Sequence, residues 1–243
     1  MGVSIGGAFM NRHVCYIADN TFHELALKSI KHAIKHSNTK LHFHILGNID
    51  NKSQGIDYIN IPDSFSELHV LDYRAKLPYL MLERGISKFL YLDADTQPVV
   101  CLSKLIDIDT EGNVIAGCEQ PWCNKFRDAV EWANSRDYND FEQQLSEEHL
   151  DNTFINTGVL LFNCVKYVNE QILDAYLKHK SNCHLQHPVD EWIFNLAVID
   201  RCKIIDKRWN WHPVNVNKQW QRPYIIHDVG KTSRKPGHST IYT

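Results

Sequence analysis

Lys88 to Val100, Lys-Phe-Leu-Tyr-Leu-Asp-Ala-Asp-Thr-Gln-Pro-Val-Val, is the stretch on which the fold turns. Phe89-Leu90-Tyr91-Leu92 is a short apolar, aromatic run that fits a buried strand, with Asp93 and Asp95 at its C-terminal end. That end is where open α/β sheets bind ligands. In extended backbone residues i and i+2 share a face, so both carboxylates can aim at one spot, and two like charges held that close call for a cation. Oxygen ligands suit Mg²⁺ or Mn²⁺, ions that commonly bridge to substrate phosphates. A surface turn with two solvated aspartates is the plainer alternative.

Working outward, the bounds are those of one large α/β domain: 243 residues suffice to bury a sizeable core. With 43% hydrophobic and 23% charged residues and a formal net charge of −3, nothing in the balance points to nucleic acid. Apolar runs such as Gly158 to Phe162 fall short of the roughly 20 residues of a membrane helix. Met1 to Asn11 lacks a basic segment followed by an apolar core, so no signal peptide is expected and the default compartment is the cytosol. The seven cysteines are odd in number, scattered and without Cys-x-x-Cys, which predicts free thiols rather than disulfides or zinc. Most of the fourteen histidines have ordinary explanations; His42 and His44 alternate with Leu41, Phe43 and Ile45 and read as the wet face of a strand.

Upstream of the central stretch the order reads strand, helix, strand, strand, helix. Val14 to Ala18 is a strand ending at Asp19-Asn20. Thr21 to Glu24 has the form of a capping box opening a helix whose apolar positions are Phe22, Leu25, Leu27, Ile30, Ala33 and Ile34. No Gly-x-Gly-x-x-Gly follows the first strand, which argues against a dinucleotide site. Leu41 to Leu46 and Tyr58 to Ile61 are further strands. Asp72 to Arg84 is a helix interrupted by Pro78 and stopped by Gly85; it carries Arg74 and Lys76, which would suit a diphosphate or a solvated face equally.

Downstream, Val114 to Cys118 reads as a strand. Residues 126–151, with eight acids against two arginines, read as a helical or mobile insertion over the sheet. In Phe154 to Asn163 the polar Asn156-Thr157 and then Gly158 interrupt a buried strand, either as a β-bulge or as a place where a ligand approaches closely. Val165 to Lys180 is predicted as one helix with Val165, Val168, Ile172, Leu173, Tyr176 and Leu177 on its core face. Asp190-Glu191 opens another; acids there complement the helix dipole, yet a carboxylate pair beside a crevice can also do acid, base or nucleophilic work. The basic, aromatic tail, residues 201–243, holds nine Lys/Arg against Asp206 and Asp228. It could close over an anionic leaving group or rest on an anionic membrane. Its strand Pro223 to His227 ends on a histidine able to join an ion site.

These motifs, in this order, resemble glycosyltransferase family 8, the retaining GT-A enzymes that include glycogenin and lipopolysaccharide galactosyl- and glucosyltransferases. The resemblance runs from about residue 13 to 237. Tyr91 to Thr96 is similar to the family's metal motif, Phe154 to Asn163 to its Asn-[Ser/Thr]-Gly strand, Asp190-Glu-Trp-Ile-Phe-Asn195 to its Asp-Gln-Asp-x-Leu-Asn segment, and His227-x-x-Gly230 to the start of its tail.

The resemblance implies a single-domain mixed α/β GT-A fold from residue 13 to 243 behind a flexible arm, residues 1–12, with a UDP-hexose as donor. It implies that Ala18, Asp19 and Asn20 hold uracil and ribose, that Arg74 reaches the donor, and that Ala94 lies within the donor site. Asp93, Asp95 and His227 would ligate Mn²⁺ or Mg²⁺, with Gly230 and Lys235 on the diphosphate. Asn156 and Asp190 would bind the transferred sugar, and Glu191, where the family usually has Gln, would lie beneath the anomeric carbon. Trp192 replaces the family's second Asp and would offer an aromatic surface to sugar or acceptor. The acceptor would be a saccharide, glycolipid or glycoprotein. A metal-dependent nucleotide-sugar hydrolase, a nucleotidyltransferase and an inactive nucleotide-sugar binding module stay open on the residues alone.

Overall fold

The computed structural model describes residues 11–65, 72–134, 144–183, 190–212 and 222–227. β1 (Arg12–Ile17), α1 (His23–His36), β2 (Leu41–Leu46), β3 (Ile56–Ile59), α2 (Tyr73–Glu83) and β4 (Lys88–Leu92) follow in the expected order. The arm expected over residues 1–12 lies largely outside the described residues, and Arg12 already pairs with Leu41.

Seven strands form one mixed sheet in the order β3-β2-β1-β4-β7-β6-β8, with β6 at Ile115–Glu119, β7 at Ile155–Asn163 and β8 at Cys202–Ile204. The first four strands run parallel; β7 is antiparallel to both β4 and β6. Alternation along β4 explains its central place. Phe89 and Tyr91 enter one buried layer with Phe162, Tyr167 and Phe194, while Leu90 and Leu92 enter the other with Tyr16, Ile30 and Leu161. A strand covered on both faces is apolar throughout, as this run is.

Several local expectations give way to packing. No capping box forms at α1. Its N-cap is Phe22, and the Asp19 carboxylate instead accepts the Thr21 and Phe22 N–H groups at 2.8 and 3.0 Å. The buried stripe of α1 is His23, Ala26, Ser29, Ile30 and Ala33, leaving Phe22 and Ile34 about half exposed. Ala26, Ile30 and Ala33 join the buried layer that holds Tyr16 and Phe43. α2 runs through Pro78 unbroken; the missing N–H costs only the bond to the Arg74 carbonyl.

The helix expected over residues 165–180 is two, α5 (Cys164–Asn169) and α6 (Ile172–Ser181), with Gln171 in left-handed backbone between them (φ +55°). That break rotates the apolar face. Tyr167, Ile172, Leu173 and Tyr176 are buried, while Val165 and Leu177 are exposed. His44 is also buried rather than wet: its Nδ1 lies 2.9 Å from Asp57 Oδ2, its Nε2 2.9 Å from His13 Nδ1, and the two imidazoles pack at 5.1 Å.

In the acidic insertion, α4 (Phe126–Asn134) packs Phe126, Ala129, Val130 and Ala133 against Phe154, Trp192 and Leu196. This small third core stands at one end of the sheet. It corrects the reading of Trp192, which is buried at 4.9 Å from the Phe154 ring and offers no surface to a ligand. All seven cysteines are free.

Candidate active site

Asp93 leaves β4 through a tight turn. Its N–H bonds the Gly158 carbonyl at 2.8 Å, while Thr96 N and Oγ1 return to the Asp93 carbonyl at 3.1 and 2.8 Å. The turn feeds β5 (Thr96–Pro98), which pairs antiparallel with β9 (Ile225–His227), placing Thr96 opposite His227. That register carries a histidine from the far end of the chain to the two aspartates. One ligand atom from each of Asp93, Asp95 and His227 lies within 4.8 Å of the others.

The surroundings fit a divalent cation. Asp93 Oδ1 is occupied by the Tyr91 hydroxyl at 2.6 Å and Arg74 Nη2 at 3.1 Å, which leaves Oδ2 toward His227. His227 Nε2 is 3.2 Å from Asp95 Oδ1 and 3.7 Å from Asp93 Oδ2. Burial disfavours the imidazolium, but Asp95 and Asp93 outweigh it and hold the His227 pKa above the usual value. A Cβ on Gly158 would lie 2.1 Å from His227 Cε1 and 2.8 Å from Asp93 Oδ2, so only glycine leaves room for this cluster. Two carboxylates and one imidazole suit Mn²⁺ or Mg²⁺.

Arg74 joins this cluster to a second carboxylate pair. Its Nη1 donates to Asp190 Oδ2 at 3.1 Å and to the Thr157 hydroxyl, with Nη2 on Asp93. The guanidinium is thus committed to protein acids, and among its nitrogens Nε is buried without a partner. Asp190 and Glu191 begin α7 (Asp190–Ala197). Asn195 pins that helix to the sheet: its amide exchanges hydrogen bonds of 2.8 and 2.9 Å with the Ile155 backbone and donates to the Glu191 carbonyl.

Glu191 is therefore delivered to the irregular part of β7. Between Gly117 and Cys118 of β6 the pairing jumps from Leu160 to Asn156, so the bulge reading of Asn156 to Gly158 is right. The bulge turns polar groups toward Glu191. Oε1 accepts from Thr157 N at 3.0 Å and Asn156 Nδ2 at 3.1 Å; Oε2 accepts from Gln120 Nε2 at 2.9 Å. Burial still outweighs these donors, with Asp190 adding to it, and the Glu191 pKa is pushed up to about 7. Burial raises Asp190 as well, against the opposing charge of Arg74.

Asn210 completes a hydrogen-bonded path that sequence reasoning missed. Its Nδ2 donates to Asn156 Oδ1 at 2.7 Å, and its Oδ1 faces His227 Nδ1 at 2.8 Å. A His227 that donates from Nδ1 keeps the Nε2 lone pair toward Asp93 and Asp95. Gln120 was missed too. Neither lies in a motif that singles it out; the Trp209-Asn210-Trp211 aromatic context was the nearest signal.

Of the other expected residues, those at the end of β1 lie on the strand next to β4. Ala18, at the end of β1, is buried and donates to the Leu46 carbonyl. Asn20 exchanges bonds with Asp50 at 2.7 and 3.2 Å. Ala94 sits in the aspartate turn, partly buried. Gly230 and Lys235 lie outside the described residues.

The description "Glycosyl transferase family 8" matches residues 14–233. The chain belongs to this family. A curated Haemophilus influenzae protein named as a glycosyltransferase is 24% identical over 161 residues, 65% of this chain and 44% of that protein. Among solved structures, the bifunctional glycosyltransferase WbbM is similar with a TM-score of 0.69 at 15% identity, covering 91% of this chain and 46% of WbbM. The galactosyltransferase LgtC, solved with donor and acceptor sugar analogues, is similar at 0.64 and 18% identity, covering 90% of this chain and 87% of LgtC. The chain thus spans less than half of the Haemophilus relative and of WbbM, and nearly all of LgtC. The family 8 chain has the GT-A fold of these neighbours, and none of its described helices is long and apolar enough to cross a membrane.

Proposed function

We propose that this family 8 chain is a metal-dependent retaining glycosyltransferase that moves a hexose, glucose or galactose, from a UDP-sugar to a saccharide or glycoconjugate acceptor. The observation that carries the reading is the convergence of Asp93, Asp95 and His227 beside a second carboxylate pair, Asp190 and Glu191, at the C-terminal edge of β4.

In this reading Asp93 Oδ2, Asp95 and His227 Nε2 hold Mn²⁺ or Mg²⁺, which when bound supplies positive charge against the diphosphate leaving group. Arg74 keeps Asp93 and Asp190 in place, so the ion side and the sugar side cannot drift apart. Ala18, Asp19 and Asn20 line the nucleoside end, Ala94 the diphosphate turn, with Gly230 and Lys235 closing over the phosphates. Asp190 and Asn156 orient the hexose hydroxyls. Glu191 lies beneath the anomeric carbon, where its carboxylate stabilises oxocarbenium-like charge and is positioned to capture the glycosyl group. The acceptor hydroxyl then attacks on the face the nucleotide has left, breaking the glycosyl–Glu191 bond and giving its proton to the departed diphosphate, which retains configuration. In this reading the reaction runs in the cytoplasm, with the basic tail, residues 201–243, against an anionic membrane when the acceptor is a glycolipid.

The test is a panel of UDP-, GDP- and CMP-sugars, with and without Mn²⁺, read as free nucleotide released by slow hydrolysis. UDP release from one donor, abolished by EDTA and by Asp95→Asn, supports the reading. No release from any donor, together with no metal-dependent thermal shift from UDP, refutes it.

A further inference from the structure

The loop from β6 into α4 carries an exposed aromatic ring that the donor site does not use. Gln120 is fixed at one end, its side chain on Glu191 and its N–H on the Phe154 carbonyl at 2.9 Å. At the other end Cys123 and Phe126 are buried in the small core with Trp192, and the Asn124 carbonyl accepts from Phe154 N. Cys123 is close enough to Glu191 for that carboxylate to raise its pKa, second to burial. Between these anchors Trp122 projects and remains 50% exposed.

Trp122 is not loose. Its ring meets the His212 ring edge-on at 5.3 Å and 81°, and His212 in turn packs at 4.6 Å on His227. Trp122 therefore stands two ring contacts from the ion ligands, on a loop whose Gln120 bonds Glu191. His212 is fully buried, yet neither of its ring nitrogens has a hydrogen-bond partner among the described residues. Buried imidazole nitrogens are ordinarily satisfied, so an unpartnered imidazole beneath a half-exposed indole, one ring contact from His227, marks an incomplete surface. An imidazole carries one donor and one acceptor nitrogen, so His212 can give one hydrogen bond and accept another.

We infer that Trp122, propped on His212, is the stacking platform of the acceptor subsite and receives a pyranose ring by its apolar face. A sugar ring presents axial C–H groups on its faces and hydroxyls around its rim. A rigid aromatic with a large apolar face binds the first, and neutral donor-acceptor groups beside it bind the second. The nucleoside end is excluded as occupant because Ala18, Asp19 and Asn20 lie at the end of β1, across β4 from this loop. This inference rests on the proposed glycosyltransferase reading and names the chemistry of its second substrate.

The experiment uses the full chain saturated with UDP and Mn²⁺. Methyl α- and β-glucosides and galactosides, and lactose, are titrated by indole fluorescence, with saturation-transfer NMR to map the sugar protons in contact. The expected result is saturable binding of at least one glycoside through its ring C–H protons, weakened tenfold or more in Trp122→Ala and largely restored in Trp122→Phe. Glycoside binding in Trp122→Ala within twofold of the parent overturns the platform, as does the absence of binding by every glycoside to a parent protein that binds UDP. Absence of metal-dependent UDP binding would instead fail the glycosyltransferase reading. In that case glycoside binding to the metal-free chain, with the same dependence on Trp122, still decides for or against the platform.

Discussion

Glu191→Gln is expected to change stability in a way that depends on pH and runs opposite to the usual loss of a satisfied side chain. The Glu191 carboxyl titrates near 7 in the fold against an ordinary value of 4.5. A raised acid pKa means the folded chain holds the proton more tightly than the unfolded one. Its stabilisation is complete below about pH 4.5 and is lost as pH rises through about 7. The gap between 4.5 and about 7 corresponds to at most about 3 kcal/mol, since the residue keeps some contact with solvent. Glutamine is isosteric, and its Oε1 can keep the bonds from Thr157 N and Asn156 Nδ2. Gln120 turns its amide over to accept from the new NH₂.

The variant should therefore diverge from the parent with rising pH, more stable by up to about 3 kcal/mol at pH 8, or roughly 6–12 °C in Tm for a chain of this size. The assay is urea or thermal unfolding of the metal-free protein in EDTA from pH 4.5 to 8.5. Parallel stability curves for parent and variant across that range would refute the buried-carboxyl reasoning. The same variant should transfer sugar more slowly; full transfer activity in Glu191→Gln would remove the carboxylate from the mechanism while leaving the family assignment untouched.

Gly158→Ala should lower Mn²⁺ affinity at least tenfold, because its Cβ would stand 2.1 Å from His227 Cε1; calorimetry giving the parental affinity would count against the cluster as the ion site. Asn210→Ala frees His227 Nδ1 and Asn156 Oδ1 together, so Mn²⁺ affinity should fall roughly 10- to 100-fold, with Asn210→Asp recovering part through its acceptor oxygen. Equal affinities in all three proteins would rule out that coupling. Trp192→Ala should cost about 3–5 kcal/mol of stability by opening a cavity between α4 and α7. A loss under 1 kcal/mol in denaturant unfolding would return Trp192 to the surface role its sequence position suggested.

Much of the frame was legible before any contact was known. The apolar Phe89 to Leu92 run, the aspartates after it, the strand with Asn156 to Gly158 and the acids opening α7 are signals of short range, written in periodicities of two or 3.6 and in the residues that end them. What they could not carry is which face of an element meets the rest. The stripe of α1 is decided by the core layer it joins with Tyr16 and Phe43, the break at Gln171 by the two directions in which α5 and α6 must pack, and the burial of His44 by its bonds to His13 and Asp57.

The site divides in the same way. Sequence alone brought Asp93 and Asp95 together after the β4 run, on extended backbone where the structure has a turn, and determined that Asp190 and Glu191 share a helix start, because neighbours in the chain have short separations. Tertiary structure decided that His227 faces Asp95, that Arg74 spans Asp93 and Asp190, and that Asn210 ties His227 to Asn156. Those meetings depend on the register of β5 against β9 and of β7 against β4 and β6. Strand register is set by the packing of whole faces, a property no single stretch of the chain contains.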